Sequence, residues 1–119
     1  DTRGITALFN KNLLVRLNRE LGGTFVVDKF QHRAIWNEAE SAMEMHLESL
    51  MDQTVQVAGR DYHLEAVERL HTETSRKYDI GTFAAHCERH GWRVDRLWLD
   101  EQNRFAVVGL IAVSSWTLP

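Results

Sequence analysis

The segment His71-Thr72-Glu73-Thr74-Ser75-Arg76-Lys77 is where this chain looks most like chemistry, because read as a strand it has no apolar face. Regular alternation places His71, Glu73, Ser75 and Lys77 on one side, with neighbours two apart roughly 6 to 7 Å from each other. A carboxylate and a hydroxyl converging from one strand suit a ring with two nitrogens: Glu73 accepts from a proton-bearing nitrogen, and Ser75 donates or accepts. Imidazole has that complementarity. An exposed edge strand kept soluble by polar side chains satisfies the same pattern, and pattern alone favours it over a pocket wall.

Other candidates are weaker. Met45 sits in a methionine-rich stripe, and at strand spacing such a stripe more often fills core gaps with a flexible thioether than lines a ligand site. His86 and His90, four residues apart with Cys87 between them, have a spacing that can bring two ligands to one metal. No second cluster of Cys or carboxylate completes a tetrahedral set, so a solvent-facing helix is the better reading and no metal is expected. Asn10 and Asn18 read as polar packing or surface residues. The sequence has no glycine-rich phosphate loop, nucleophile elbow or triad spacing.

The elements that must position these residues follow from periodicity. Over 4–21, Ile5, Leu8, Phe9, Leu13, Leu14, Leu17 and Leu21 recur at helical spacing, which predicts an amphipathic helix ending at Gly22-Gly23. After a helical turn around Val26-Val27-Asp28-Lys29-Phe30, the period changes to about 2 and holds for some fifty residues, which reads as an antiparallel β-meander. Its clearest strand is 41–51, with Met43, Met45, Leu47 and Met51 on one face and Glu44, His46 and Glu48 on the other. Strands at 53–58, 62–67 and 69–78 follow, with a turn at Gly59-Arg60-Asp61. A second helix spans 80–90 and stops at Gly91, and a hairpin pairs 92–99 with 105–113 across Asp100-Glu101-Gln102-Asn103. The last strand is apolar on both faces, with Phe105, Val107, Ile111 and Val113 opposite Ala106, Val108, Leu110 and Ala112, so it expects cover from a larger sheet. The fold class is therefore α+β.

Composition narrows the function. With 119 residues and 44% hydrophobic content, the chain suffices for a single compact unit with a core. Fourteen basic residues against 17 acidic give a net charge of −3, which leaves no basic field for nucleic-acid phosphates. One cysteine cannot build a disulfide framework, and no apolar run has membrane-spanning length, so a cytoplasmic protein with neither nucleic-acid nor membrane partners is expected. Asp1 in place of Met, followed at once by a helical pattern, points to a piece of a larger protein.

Several blocks together resemble a known family. Gly4-Ile5-Thr6-Ala7-Leu8-Phe9-Asn10-Lys11-Asn12-Leu13-Leu14, Asn18-Arg19-Glu20-Leu21-Gly22, Phe30-Gln31-His32-Arg33-Ala34 and Ile35-Trp36-Asn37 look like the histidine Nα-methyltransferases of ergothioneine biosynthesis. Glu44-Met45-His46-Leu47, Gln53-Thr54-Val55 and His71-Thr72-Glu73-Thr74-Ser75-Arg76-Lys77-Tyr78 match later blocks in the right order. The resemblance covers nearly the whole chain.

It implies a class I, Rossmann-like methyltransferase with a doubly wound sheet and a second domain that closes over an amino-acid substrate. Residues 1–79 would form part of that second domain, and 80–119 would supply the last helix and hairpin of the methyltransferase sheet. The S-adenosylmethionine loops and the groups gripping the substrate's amino and carboxylate ends would lie upstream, so this piece alone should not catalyse. A family tyrosine near the reacting amine would likewise precede Asp1. Position by position, Glu73 and Ser75 resemble the pair that hydrogen-bonds the histidine imidazole, Thr6 a residue near that ring, and Met45 a pocket-lining methionine. The implied product is trimethylhistidine.

Related enzymes methylate other amines, including an indole-bearing amino acid, and the acidic side chain of Glu73 is what favours imidazole. The alternative from another class is a non-catalytic binding or assembly module. Cut from its sheet, the final hairpin is expected to drive self-association.

Overall fold

A computed structural model of the chain describes residues 4–113, so Asp1 and Pro119 lie outside the described residues. The chain divides into two compact units, Asp1–Lys77 and Tyr78–Pro119.

The first unit opens with helix α1, Ile5–Leu21. Gly22 ends it in the left-handed conformation (φ 61°), a geometry that glycine adopts without a Cβ clash. Asn18 then clamps the turn, donating to the Phe25 carbonyl and accepting from the Phe25 N–H, both at 2.8 Å. A Cβ on Gly23 would sit 2.7 Å from Asn18 Oδ1 and 3.1 Å from backbone atoms of Leu17 and Asn18. Gly23→Ala is therefore expected to destabilise this unit by about 1 to 3 kcal/mol, read as a lowered urea midpoint. A midpoint equal to that of the unmodified protein would show that the turn has room to relax.

A 3₁₀ turn, Val27–Lys29, leads into strand β1, Phe30–Asn37, which pairs antiparallel with β2, Ala42–Ser49. β3, Gln53–Val57, and β4, Arg60–Leu64, form their own hairpin. β5, Arg69–Arg76, then returns to β2, giving the order β1-β2-β5. The pairing is antiparallel as expected, but the arrangement is not a meander: β3 and β4 are an excursion between two neighbours of one sheet. The β3–β4 turn lies at Ala58-Gly59 rather than at 59–61, because both residues have positive φ (51° and 78°), the combination a two-residue hairpin turn requires. Met51, expected on the apolar face of β2, lies beyond the end of that strand.

The core of this unit is small and lies where three pieces meet. Leu14 of α1, Phe30 and Leu47 of the sheet, and Val55 and Leu64 of the hairpin are buried together, with Phe25, Val27 and Leu70 against them. Of the apolar stripe on α1 only Leu14 is fully enclosed, while Ile5, Leu8, Phe9 and Leu13 remain exposed. The stripe is wider than the three-stranded sheet can cover, and its uncovered part borders the site described below.

In the second unit, α2, Ile80–Arg89, is capped by Asp79, whose carboxylate accepts from the backbone N–H and the hydroxyl of Thr82, both at 3.0 Å. Those bonds hold the Asp79 carboxyl below the usual range, the backbone one most strongly. Hairpin β6–β7, Trp92–Leu99 with Ala106–Ala112, is antiparallel. Trp98, Leu99, Val107 and Ile111 are all exposed, so the described residues of this unit leave much of the hairpin's apolar surface uncovered.

Candidate functional site

The sheet of the first unit has two chemically different faces, and a β-bulge decides which residues share them. β5 pairs with β2 as Met43 with Ser75 and Met45 with Glu73, then shifts register between Met45 and His46, so that His46 pairs with His71. Thr72 is the unopposed residue. Directly paired residues project to the same face, so Met43, Met45, Glu73 and Ser75 stand on one side and Glu44, His46, His71 and Thr74 on the other. His71 is therefore not beside Glu73 and Ser75, as uninterrupted alternation predicts. One extra residue reverses its face.

Helix α1 covers the Glu73 face, and Asn10 fixes how. Buried at 4% exposure, Asn10 uses every polar atom of its amide. Its Nδ2 donates to His32 Nδ1 (2.9 Å) and to the His46 carbonyl (3.2 Å), and its Oδ1 accepts from the Thr72 hydroxyl, which also lies 3.0 Å from the Met45 carbonyl. Helix, first strand, central strand and bulge are thereby tied at one point. The reading of Asn10 as polar packing agrees with this, and the packing sits directly under the candidate site.

Because His32 accepts at Nδ1, its proton lies on Nε2. Burial first, and the Lys11 charge second, push this imidazole below its ordinary value of 6.5. The folded state thus resists protonation that the unfolded chain accepts, and stability is lost as pH falls from about 6.5 down through the depressed folded value. Unfolding midpoints between pH 7.5 and 5 should therefore fall with acidification, and His32→Gln should flatten the curve. An identical slope in that variant would remove His32 from the explanation.

Next to this knot lies a pocket of about 190 Å³, walled by Phe9, Asn10, Asn12, Leu13 and Arg16 of α1 and by Thr72 and Glu73 of β5. The helix residues fall at spacings of three and four, so they form one stripe along α1. Phe9 and Leu13 offer apolar surface, Glu73 a carboxylate and Arg16 a guanidinium that is paired with Glu20 at 3.2 Å. Such a pocket can hold a flat ring against the aromatic side chain while the carboxylate accepts from a ring N–H.

The residues singled out from sequence are distributed around it. Glu73 lines the pocket and is exposed there. Met45 is its cross-strand partner and half-buried. Ser75 stands two residues along the same face, half-buried, with its hydroxyl accepting from Lys77 Nζ at 3.0 Å. Thr6 is one helical turn before Asn10 on α1, half-buried, and is not among the pocket-lining residues. Phe9, Asn12, Leu13 and Arg16 were not picked out as site residues. The available signal was that the apolar stripe on α1 is too wide for one small sheet. On α2, His90 Nδ1 donates to the His86 carbonyl at 2.9 Å, and Cys87 is buried away from both exposed rings.

Comparison with known proteins agrees with the resemblance read from the sequence. A family model described as histidine-specific methyltransferase, SAM-dependent, matches residues 1–112. Histidine N-alpha-methyltransferase of Mycobacterium tuberculosis is 39% identical over 109 residues, covering 90% of this chain and 34% of the relative. The protein of the same name from Mycolicibacterium smegmatis is 37% identical over the same length and shares. The chain spans about a third of the length of these curated relatives. On this match, the chain belongs to the family of histidine-specific, S-adenosylmethionine-dependent methyltransferases.

Proposed function

We propose that this chain forms the substrate side of an enzyme that methylates the α-amine of L-histidine to trimethylhistidine, with Glu73 reading the imidazole. The observation that carries the proposal is the placement of Glu73 on the helix-covered face, opposite Met45 and opening into a pocket walled by Phe9 and Leu13. Phe9 and Leu13 suit any flat ring, indole included. Glu73 selects, because a carboxylate enclosed without a donor loses its water and gains nothing in return. Ser75, Met45 and Thr6 complete the ring's surroundings in this reading.

The donor, S-adenosylmethionine, follows from the family. Doubly wound folds take such a nucleoside at glycine-rich turns from parallel strands into helices. Among the described residues every paired strand is antiparallel and no such turn occurs, so this chain's described residues do not fit the cofactor. Its binding belongs to the rest of the enzyme in this proposal. Residues 1–79 serve the substrate, and 80–119 complete a class I methyltransferase sheet, a reading supported by the break between Lys77 and Tyr78 and by the uncovered apolar hairpin. Until that sheet covers it, the hairpin is the surface through which isolated copies of the chain associate.

No described helix is long and apolar enough to cross a membrane. With a single, buried cysteine, we place the enzyme in the cytoplasm. Within the reaction this chain orients rather than attacks: an anchored ring fixes where the α-amine points, and alignment of a neutral amine supplies much of the rate in a direct transfer.

Mass spectrometry of amino acids incubated with the intact protein and S-adenosylmethionine tests the proposal. Trimethylhistidine is expected, with tryptophan unmodified. Methylated tryptophan in place of histidine would overturn the role of Glu73, and no transfer to any amino acid would favour a non-catalytic binding module.

A further inference from the structure

The face of the sheet turned away from α1 carries a second constellation. Glu44, His46 and His71 each offer one ligand atom, and the three atoms lie within 4.8 Å of one another. Glu44 and His46 are two apart on β2, which puts both on one face, and the register shift brings His71 directly across from His46. The two imidazoles stack with centroids 4.6 Å apart and planes at 22°.

Hydrogen bonds fix how these side chains are oriented. Asn37 Nδ2 donates to Glu44 Oε2 at 2.9 Å, which fixes the carboxylate, and Glu44 Oε1 lies 2.9 Å from His46 Nε2. His71 Nε2 lies 3.1 Å from the Glu73 carbonyl and 2.8 Å from the Thr74 hydroxyl. A carbonyl only accepts, so the His71 proton sits on Nε2 and its Nδ1 presents a lone pair. His46 Nδ1 is buried with no hydrogen-bond partner. For His71, an imidazole whose other nitrogen donates to a backbone carbonyl has the usual form of a metal-binding histidine, whereas His46 and Glu44 would exchange their mutual hydrogen bond for the ion.

We propose that Glu44, His46 and His71 bind one divalent ion of the zinc class, and that the ion clamps β2 to β5 at the bulge. Two imidazoles and a carboxylate are a donor set suited to a borderline ion, with a fourth position left for water. The location gives the ion a structural consequence. It sits behind the residue that turns Glu73 toward the pocket, so binding stiffens the backbone from which Glu73 projects.

Titration of the intact protein with zinc chloride, followed by calorimetry and by the thermal midpoint, tests the proposal. One ion per chain should bind and raise the midpoint. His71→Asn, at an exposed position, should weaken zinc binding by roughly tenfold or more while leaving the zinc-free midpoint nearly unchanged, and Glu44→Gln should weaken binding to a similar degree. Joint replacement of His86 and His90 by alanine, which removes the other close pair of imidazoles, should leave it intact. Absence of a zinc-induced shift at millimolar zinc, or binding lost with the His86 and His90 variant and kept in His71→Asn, would overturn the site.

Discussion

Glu73→Gln in the intact protein is expected, on the proposed function, to weaken histidine binding by about 1.5 to 3 kcal/mol, or roughly ten- to a hundredfold in Kd. The change keeps the size of the side chain and removes its charge, so a ring N–H meets a neutral amide oxygen instead of a carboxylate. Because Glu73 is exposed on an edge strand rather than packed in the core, the variant should unfold at the same urea concentration as the unmodified protein. Calorimetry with histidine and with phenylalanine separates recognition from general pocket damage. The variant should lose affinity for histidine and keep whatever weak affinity it has for the ring that lacks nitrogens. Equal affinity for histidine in the two proteins would remove Glu73 from the site.

Leu14→Ala is expected to cost about 2 to 5 kcal/mol in stability. Leu14 is 0% exposed and is the residue by which α1 enters the core beside Phe30 and Leu47. A small domain has only about 5 to 15 kcal/mol in total, so the loss should lower the urea midpoint steeply and loosen the helix that forms one wall of the pocket. Histidine affinity should fall with it. Leu13→Ala, one residue away but 41% exposed, should leave stability within about 1 kcal/mol and act on affinity alone. If Leu14→Ala unfolds no more easily than Leu13→Ala, the core has been misplaced.

The contrast between those neighbours shows what periodicity can and cannot read. The helical stripe from Ile5 to Leu21, its stop at Gly22 and the alternation along Met43, Met45 and Leu47 were legible, because each is set by the spacing of apolar side chains within one element. The partition of that stripe was not. Which apolar residues are enclosed and which border a pocket depends on how wide a surface the opposing sheet presents.

The bulge at Thr72 has the larger consequence. A register shift between β2 and β5 is a property of the pair, and β5 read alone assigns His71 to the face of Glu73 and Ser75. The same shift creates the Glu44, His46 and His71 cluster, which regular alternation hides because the histidines are 25 residues apart in sequence. The meander expectation failed for a related reason. Four consecutive strands with turns between them fit either a sequential sheet or an inserted hairpin, and Val55 and Leu64 choose the latter by burying themselves against α1's Leu14.

Asn10 was legible as packing, but not as the junction of four elements. Its partners His32, His46 and Thr72 lie between 22 and 62 residues away. No spacing within α1 could have named them.

A crystal structure of the intact protein with histidine bound measures most directly where the substrate ring sits. The prediction is an imidazole nitrogen about 2.7 to 3.0 Å from a Glu73 carboxylate oxygen, with the ring lying on the α1 side of the sheet near Met45 and Phe9. A ring held elsewhere, with Glu73 facing solvent, would contradict it.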